Sequence, residues 1–226
     1  MSVALESARR FDEVQRRKAE AELVNVVQMG LIESNEMQEI YDLVGDKIVE
    51  LFDADVTIAL FNDEQTLQDW KYSWERGERT TLPEPLPLGK TTTALIDKRE
   101  PIVRNTLEET LKNVYAVILP DGTEIPIEEA PPEQINAHRS RSDISVPMLV
   151  GERVTGFVSV SSFEEHAFDD NAVRLLTTVT NSMSVALEGA RLLKETQQRN
   201  AELAIINGVQ AGLIERMDMQ EIYDLV

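Results

Sequence analysis

The stretch SVPMLVGERVTGFVSV, residues 145–160, decides how this chain folds. Strand-forming residues flank Gly151-Glu152, and a two-residue connection of that kind joins neighbouring antiparallel strands. Strands are therefore expected over Asp143 to Val150 and Arg153 to Ser161. Upstream, Met37 to Phe52 has helical periodicity, and Asp55 to Phe61 reads as a buried strand. Thr66 to Glu75 follows as another strand, with Trp70, Tyr72 and Trp74 on one face by period two. Thr80 to Leu88 carries three prolines and is expected to be a loop. A short helix over Thr91 to Ile96 and a short strand over Pro101 to Arg104 come next. Residues 105–142, with Asp121-Gly122 and several prolines, read as an elaborated connection. Downstream, Phe168-Asp169-Asp170 opens a long helix, with either aspartate placed to cap it. The order describes an α+β fold, a central antiparallel sheet with flanking helices and long N- and C-terminal linker helices.

That last helix belongs to an internal repeat. Residues 1–44 return at 183–226 with an offset of 182 and no gap, and 28 of the 44 positions are identical. Val44 is followed by Gly45, whereas the second copy stops at Val226, so the expectation is one unit of a tandem array with the next unit cut short. The repeated stretch is rich in Ala, Glu, Arg, Gln and Leu, which favours helix from Val173 through Glu215. At about 1.5 Å per residue that is on the order of 60 Å of helix. Leu192, Thr196, Arg199, Leu203, Ile206, Gln210 and Leu213 follow alternating steps of three and four, a coiled-coil seam only partly apolar. A helix packed on its own domain is the plainer alternative. Gly30 and Gly212 share one repeat position and suggest a helix interruption there.

Composition removes several function classes. With 22 Lys+Arg against 41 Asp+Glu the net charge is −19, the wrong sign for neutralising phosphates, so nucleic acid is not an expected partner. The absence of cysteine excludes disulfides, thiolate metal sites, a Cys nucleophile and a thioether-tethered cofactor. No apolar run approaches the roughly 20 residues that span a bilayer, and the first residues lack the apolar core of a signal peptide. No membrane insertion is expected, and the location is expected to be cytoplasmic.

The hairpin, followed by FDDNAVRLL at 168–176 and SVALEGARL at 184–192, resembles the C-terminal half of a GAF domain. Pro147 matches a proline in the family's first hairpin strand and Gly156 a glycine in the second. Phe168 and Asp169 match an aromatic-acidic helix start, and Glu100-Pro101-Ile102-Val103 matches the strand before the pocket. The resemblance implies a linker helix over 1–35, a GAF-like domain over 36–195, and over 196–226 a linker helix with the truncated start of the next repeat. It implies a non-catalytic sensor or regulatory module of a multi-domain cytoplasmic signalling protein, relaying small-ligand state or dimer state through a helical linker. A ligand-free structural repeat that dimerises and acts as a spacer is the competing reading.

Candidate site residues follow, each with a plainer alternative. Trp70, Tyr72 and Trp74 could stack on a planar ligand, or form core. Thr91 and Thr92 open a helix whose amides could hold an anion, or they merely cap it. A Walker loop is excluded because Glu84 stands where glycine is needed. Arg104 is placed to meet an anionic ligand if it points inward, or is a solvated strand end. Ser145 and Ser159 lie on facing strands and could give hydroxyls to a pocket, or are ordinary exposed sheet serines. Leu192, Leu203, Ile206 and Leu213 are the expected contacts of a homodimer through the linker helices. His138 and His166 show no metal or catalytic pattern, and no metal site is expected. The cofactor is unknown. The phytochrome-like subgroup attaches bilin through cysteine, which is lacking here. Ser161-Ser162 replaces the Asn-Lys of the cyclic-nucleotide subgroup, and Asp169 follows Phe168 directly, which counts against cyclic nucleotides.

Overall fold

Apolar residues three and four apart make α1 (Met37–Phe52), whose Ile40, Tyr41, Val44, Gly45 and Ile48 are buried in one stripe. In the computed structural model this helix opens the described part of the chain, which comprises residues 37–81, 84–112, 116–118, 124–133, 135 and 139–223, with only the backbone course described for 116–118, 124 and 208–223. The expected linker helix over 1–35, including Gly30, and also His138, therefore lie outside the described residues. Asp53 ends α1 with a left-handed φ of 47°, and its N–H donates to the Val49 carbonyl at 2.9 Å.

The strands form a seven-stranded antiparallel sheet. β1 (Asp55–Phe61), β2 (Leu67–Glu75), β3 (Glu78–Arg79), β4 (Leu86–Pro87), β5 (Ile102–Arg104), β8 (Ser142–Val150) and β9 (Arg153–Ser162) compose it. The order is β3-β2-β1-β9-β8-β5, with β4 pairing β2. β6 (Ala116–Ile118) and β7 (Glu124–Pro126) make a separate hairpin within the connection read as irregular. Two short helices join the sheet strands: α2 (Lys90–Lys98) and α3 (Leu107–Leu111). The β8–β9 hairpin turns at Gly151-Glu152, as the sequence suggests, with Val150 opposite Arg153 and Gly151 at φ 61°. β4 falls in the stretch expected to be a loop: it is only two residues long, and its pairing with Leu67 and Gln68 is long-range.

Alternation along each strand sorts side chains onto two faces. Val56, Ile58, Ile144, Val146, Val158 and Val160, all within 1% of full burial, stand opposite one another in register and form one apolar face. Tyr72 shares that face through its pairing with Ile58 and lies against α1, where a Cβ on Gly45 would come within 2.3 Å of its ring. Gly156 is required for a related reason: a Cβ there would meet the Ala59 carbonyl oxygen at 2.2 Å.

One expectation fails here for an identifiable physical reason. Trp70, Tyr72 and Trp74 do not share a face. Tyr72 pairs with Ile58 while Trp70 pairs with Ala59, so Lys71 is an extra residue in β2, a β-bulge. The bulge reverses the side-chain parity beyond it. Tyr72 and Trp74 stay on the apolar face toward α1, and Trp70 turns to the other face.

The last helix, α4, runs from Asp170 to Tyr223. The Asp169 side chain accepts the Ala172 N–H at 2.8 Å and caps it. The helix continues through Gly212, contrary to the interruption expected there; one glycine costs a helix only about 1 kcal/mol relative to alanine. Residues up to Ala186 belong to the unit containing the sheet, and Leu187 onward to a second unit. In the first, Leu176, Val179, Met183 and Ala186 form a buried stripe. In the second, every residue from Arg191 to Asn207 except the half-buried Glu195 is exposed.

Candidate functional site

The face of the sheet opposite Ile58 changes character in three steps along the strands. An apolar row comes first: Trp70, Ala59, Phe157 and Pro147 lie side by side on β2, β1, β9 and β8. Leu95 of α2 closes over it, fully buried against Ala59 and Phe157, with Phe61, Trp70 and Ile102 packed around them. The next row is hydroxylic, with Ser73, Thr57, Ser159 and Ser145 in register across the same four strands. Ser73 and Ser145 are each only 2% exposed. The third row is charged or polar: Asp55, Ser161, Asp143 and Arg104. Ser73, Ser145 and Asp143 are buried and the other members of these two rows half-buried, and burying hydrogen-bonding groups is costly unless they are satisfied.

Most of the hydroxyls are satisfied locally. The Ser145 and Ser159 hydroxyls lie 3.0 Å apart, and Ser159 Oγ donates to the Ile144 carbonyl at 3.1 Å. Thr80 Oγ1 donates to Ser73 Oγ at 2.8 Å. At the charged end, Arg104 points inward and is not a solvated strand end, but its guanidinium is engaged within the protein. Nε and Nη2 donate to the two Asp143 carboxylate oxygens at 2.6–3.1 Å, and Nη1 donates to Thr91 Oγ1 at 2.7 Å. This fork ties β5, β8 and the start of α2 together. Thr92 is 4% exposed and returns its hydroxyl to the Gly89 carbonyl at 2.9 Å. Thr91 and Thr92 thus brace α2, whose N-cap, Gly89, makes no side-chain cap.

Electrostatics follow from this burial. Desolvation raises the Asp143 carboxyl above its usual range, against the opposing pull of Arg104 and Arg139. Desolvation also lowers the Arg139 guanidinium, and the charge of Arg104 pushes the same way. Asp55 and Glu75 are raised mainly by burial, Glu75 additionally by the charge of Asp55. On the opposite face the Tyr72 phenol is pushed up by burial and by Asp46, to which its hydroxyl donates at 2.8 Å. The Arg79 guanidinium lies 3.9 Å from that ring's centre. Tyr72 is therefore a structural link to α1, on the face away from α2.

Two polar atoms on the α2 face stand out. Trp70 Nε1 and Gln68 Oε1 are buried and find no hydrogen-bond partner among the described residues. Gln68 is 8% exposed, and its Nε2 donates to the Pro87 carbonyl at 3.1 Å, so its orphaned oxygen is held in place. Such atoms are rare in native interiors and call for an explanation. Trp70, Ser145, Ser159, Thr91, Thr92 and Arg104 all lie on this side of the sheet, whereas Tyr72 and Trp74 do not. Sequence reasoning did not single out Thr57, Gln68, Ser73, Asp143 or Arg139. The polar residues Asp55 and Thr57, alternating with Val56 and Ile58, were the available signal for a second, polar face.

A separate shallow cavity of about 270 Å³ is lined by Gln65, Ile96, Arg99, Glu152, Arg153 and Val154. It contains none of the expected site residues. Leu192, Leu203 and Ile206 are 49%, 56% and 51% exposed in the second unit; Leu213 lies outside the residues with described side chains. No group of three or more metal-ligating side chains occurs among the described residues, and no helix there is long and apolar enough to cross a membrane.

Residues 34–188 match the family model described as GAF domain. No curated protein matches. Among solved structures the chain is similar to a far-red absorbing dark-state protein with bound biliverdin IXa, at 18% identity and TM-score 0.52, covering 75% of this chain and 99% of that one. It is also similar to the GAF domain of an Acinetobacter phosphoenolpyruvate-protein phosphotransferase, at 14% identity and TM-score 0.52, covering 76% and 94%. Residues 122 to 287 of a methyl-accepting chemotaxis protein align at 16% identity and TM-score 0.55, covering 76% and 99%. At these identities the likeness is one of fold.

Proposed function

The chain belongs to the GAF domain family, and from that premise we propose that it is a non-catalytic sensor module of a cytoplasmic signalling protein, holding a small ligand on the α2 face of its sheet. The observation that carries this reading is the pair of orphaned atoms on that face, Trp70 Nε1 in the row next to the hydroxyls and Gln68 Oε1 one row further along, where Gln68 stands opposite Phe61. A ligand that accepts from the indole N–H and donates to the amide oxygen satisfies both, while its apolar part lies against Phe61 and Leu95. A bilin tethered through a thioether does not fit a chain without cysteine. Arg104, already committed to Asp143 and Thr91, is a positioning residue for α2. Displacing α2 disturbs the fork, and a ligand that does so shifts the module between states in proportion to its preference for one of them.

Native mass spectrometry of protein purified from cells tests this reading. The expected result is a small molecule retained under gentle conditions, released under denaturing ones, and absent from Gln68→Leu. A ligand-free spectrum, with Gln68→Leu as stable as the parent, would instead favour a dimerising spacer. The observation favouring that second reading is the internal satisfaction of Arg104, Ser145 and Ser159 by one another's neighbours.

A further inference from the structure

The shallow cavity at the turn end of the sheet takes no part in the α2 face. Three segments meet there: the β1–β2 turn brings Gln65, the β8–β9 hairpin brings Glu152, Arg153 and Val154, and the C-terminal end of α2 brings Ile96 and Arg99. Its volume of about 270 Å³ suits a small ligand. The buried Val154 and half-buried Ile96 supply apolar lining. Gln65 Nε2 donates to the Val154 carbonyl at 2.7 Å, which fixes the β1–β2 turn against β9. Gln65 and Arg99 both have left-handed backbones, with φ of 52° and 58°, where glycine or asparagine is the ordinary choice. Two long polar side chains thus reach one cavity from positions that sterics disfavour.

The two guanidiniums there are bound far more loosely than that of Arg104. Arg99 Nη1 stands 3.8 Å from Glu152 Oε2, beyond hydrogen-bond distance. Arg153 Nη2 donates to the Asp63 carbonyl at 2.7 Å, which orients the side chain, and lies 3.4 Å from the Asp63 carboxylate. The carboxylates of Glu152 and Asp63 are 94% and 97% exposed. Ion pairs so exposed are worth little, so an incoming anion displaces them at small cost. The net charge of −19 opposes anions at long range, but physiological salt screens exposed charges beyond about 8 Å, and within that distance the two arginines dominate.

We propose that this cavity binds a phosphate group, free or carried on a small molecule, between Arg99 and Arg153, with Glu152 displaced into solvent. Two planar forks of N–H donors match the oxygens of one compact, doubly charged group. Ile96 and Val154 then lie under the carbon part of an ester. Arg99 closes α2 and Arg153 opens β9, so the bound anion ties the C-terminal end of α2 to the sheet, as the Asp143 fork of Arg104 ties its start. The site is separate from the orphaned atoms of Trp70 and Gln68 and stands whether or not the α2 face holds a ligand.

Backbone amide NMR of the full chain, titrated near neutral pH with inorganic phosphate and with phenyl phosphate at constant ionic strength, tests this. The expected shifts fall on Gln65, Arg99, Glu152 and Val154, with phenyl phosphate the tighter of the two. Arg99→Gln and Arg153→Gln, both at exposed positions, should each weaken binding by roughly tenfold. Glu152→Gln should strengthen it severalfold by removing the competing carboxylate. Glu78→Gln, the same change of charge at the other end of β2, should leave it unaltered, and so should Gln68→Leu. Equal binding of phosphate and phenyl phosphate would assign the site to free phosphate. No shifts up to about 10 mM of either probe, or shifts that persist when both arginines are replaced, would overturn the site. Succinate binding more tightly than phosphate would overturn the phosphate assignment, and an equal gain from Glu78→Gln and Glu152→Gln would reduce the effect to net charge and overturn it too.

Discussion

Ile58 and Thr57 are neighbours on β1, and they end in different chemistry. Ile58 joins an apolar face on which Val158 and Tyr72 stand in register, sealed against α1. Thr57 joins a row of hydroxyls in which Ser73 and Ser145 are as buried as most of the core. Both faces are at least half withdrawn from water, but only the first is apolar throughout. A half-buried sheet normally alternates apolar with solvated positions. Here the second face is covered as well, and its polar groups must find partners in the protein or in a ligand. The apolar face therefore carries stability, and the polar face carries the opportunity for binding.

The strongest way to break the polar face is at its charged end. Arg104→Met leaves the Asp143 carboxylate, whose side chain is 6% exposed, without its fork, and is expected to cost about 3–5 kcal/mol at neutral pH. The pH dependence has a definite sign. Burial already raises the folded-state value of Asp143, and removing Arg104 raises it further. A raised value gives stability that is complete below the ordinary carboxylate range and is lost as pH rises through the folded-state value. The gap between Arg104→Met and the parent in chemical denaturation should thus close as pH falls toward that range. A gap independent of pH would show that Asp143 does not feel the fork.

The apolar face is sharpened by a paired substitution. Ile58→Ala opens a cavity in a fully buried position and should cost roughly 2–5 kcal/mol. Ser159→Ala, on the same sheet but the other face, loses the hydrogen bonds to the Ile144 carbonyl and the Ser145 hydroxyl and should cost about 1–2 kcal/mol. Equal losses in urea unfolding would mean that the two faces are not distinct in kind. Gly45→Ala comes next. Its Cβ meets the Tyr72 ring, and that ring cannot retreat easily because Asp46 holds its hydroxyl and Arg79 covers it. Overpacking of about 1–3 kcal/mol outweighs the gain in helix propensity of about 1 kcal/mol, so the midpoint of thermal unfolding should fall.

Much of this architecture is legible from the sequence because it is local. Met37–Phe52 and Asp55–Phe61 have the bounds their periodicity suggests, and the turn at Gly151-Glu152 registers β8 against β9. The bulge at Lys71 is not legible. One extra residue reverses parity, and no composition signal marks it, so the aromatic triplet reads as one face when it is two. Arg104 was readable as a cation at the end of a strand, but not its direction, because its partner Asp143 is 39 residues away and only the pairing of β5 with β8 brings them together. Gln68 gave no signal at all. Its significance lies in an oxygen that lacks a partner, which is a property of packing and not of residue order.

Trp70→Phe has the smallest expected effect on stability and the greatest discriminating power between the faces. It keeps an aromatic ring against Ala59 and Leu95 and removes a buried N–H without a partner among the described residues. Deleting such a donor removes a desolvation cost, which offsets the lost contact area, so the change should lie within about 1 kcal/mol of zero. Trp74→Phe, on the apolar face, provides the control. If the α2 face binds a ligand through the indole, Trp70→Phe should lose the thermal stabilisation that the retained molecule gives, whereas Trp74→Phe keeps it. If a partner within the protein satisfies Nε1 instead, Trp70→Phe should destabilise by a full buried hydrogen bond and leave any ligand effect intact. The two outcomes differ in sign as well as in size, which makes the least damaging substitution the one that separates a binding face from a packed one.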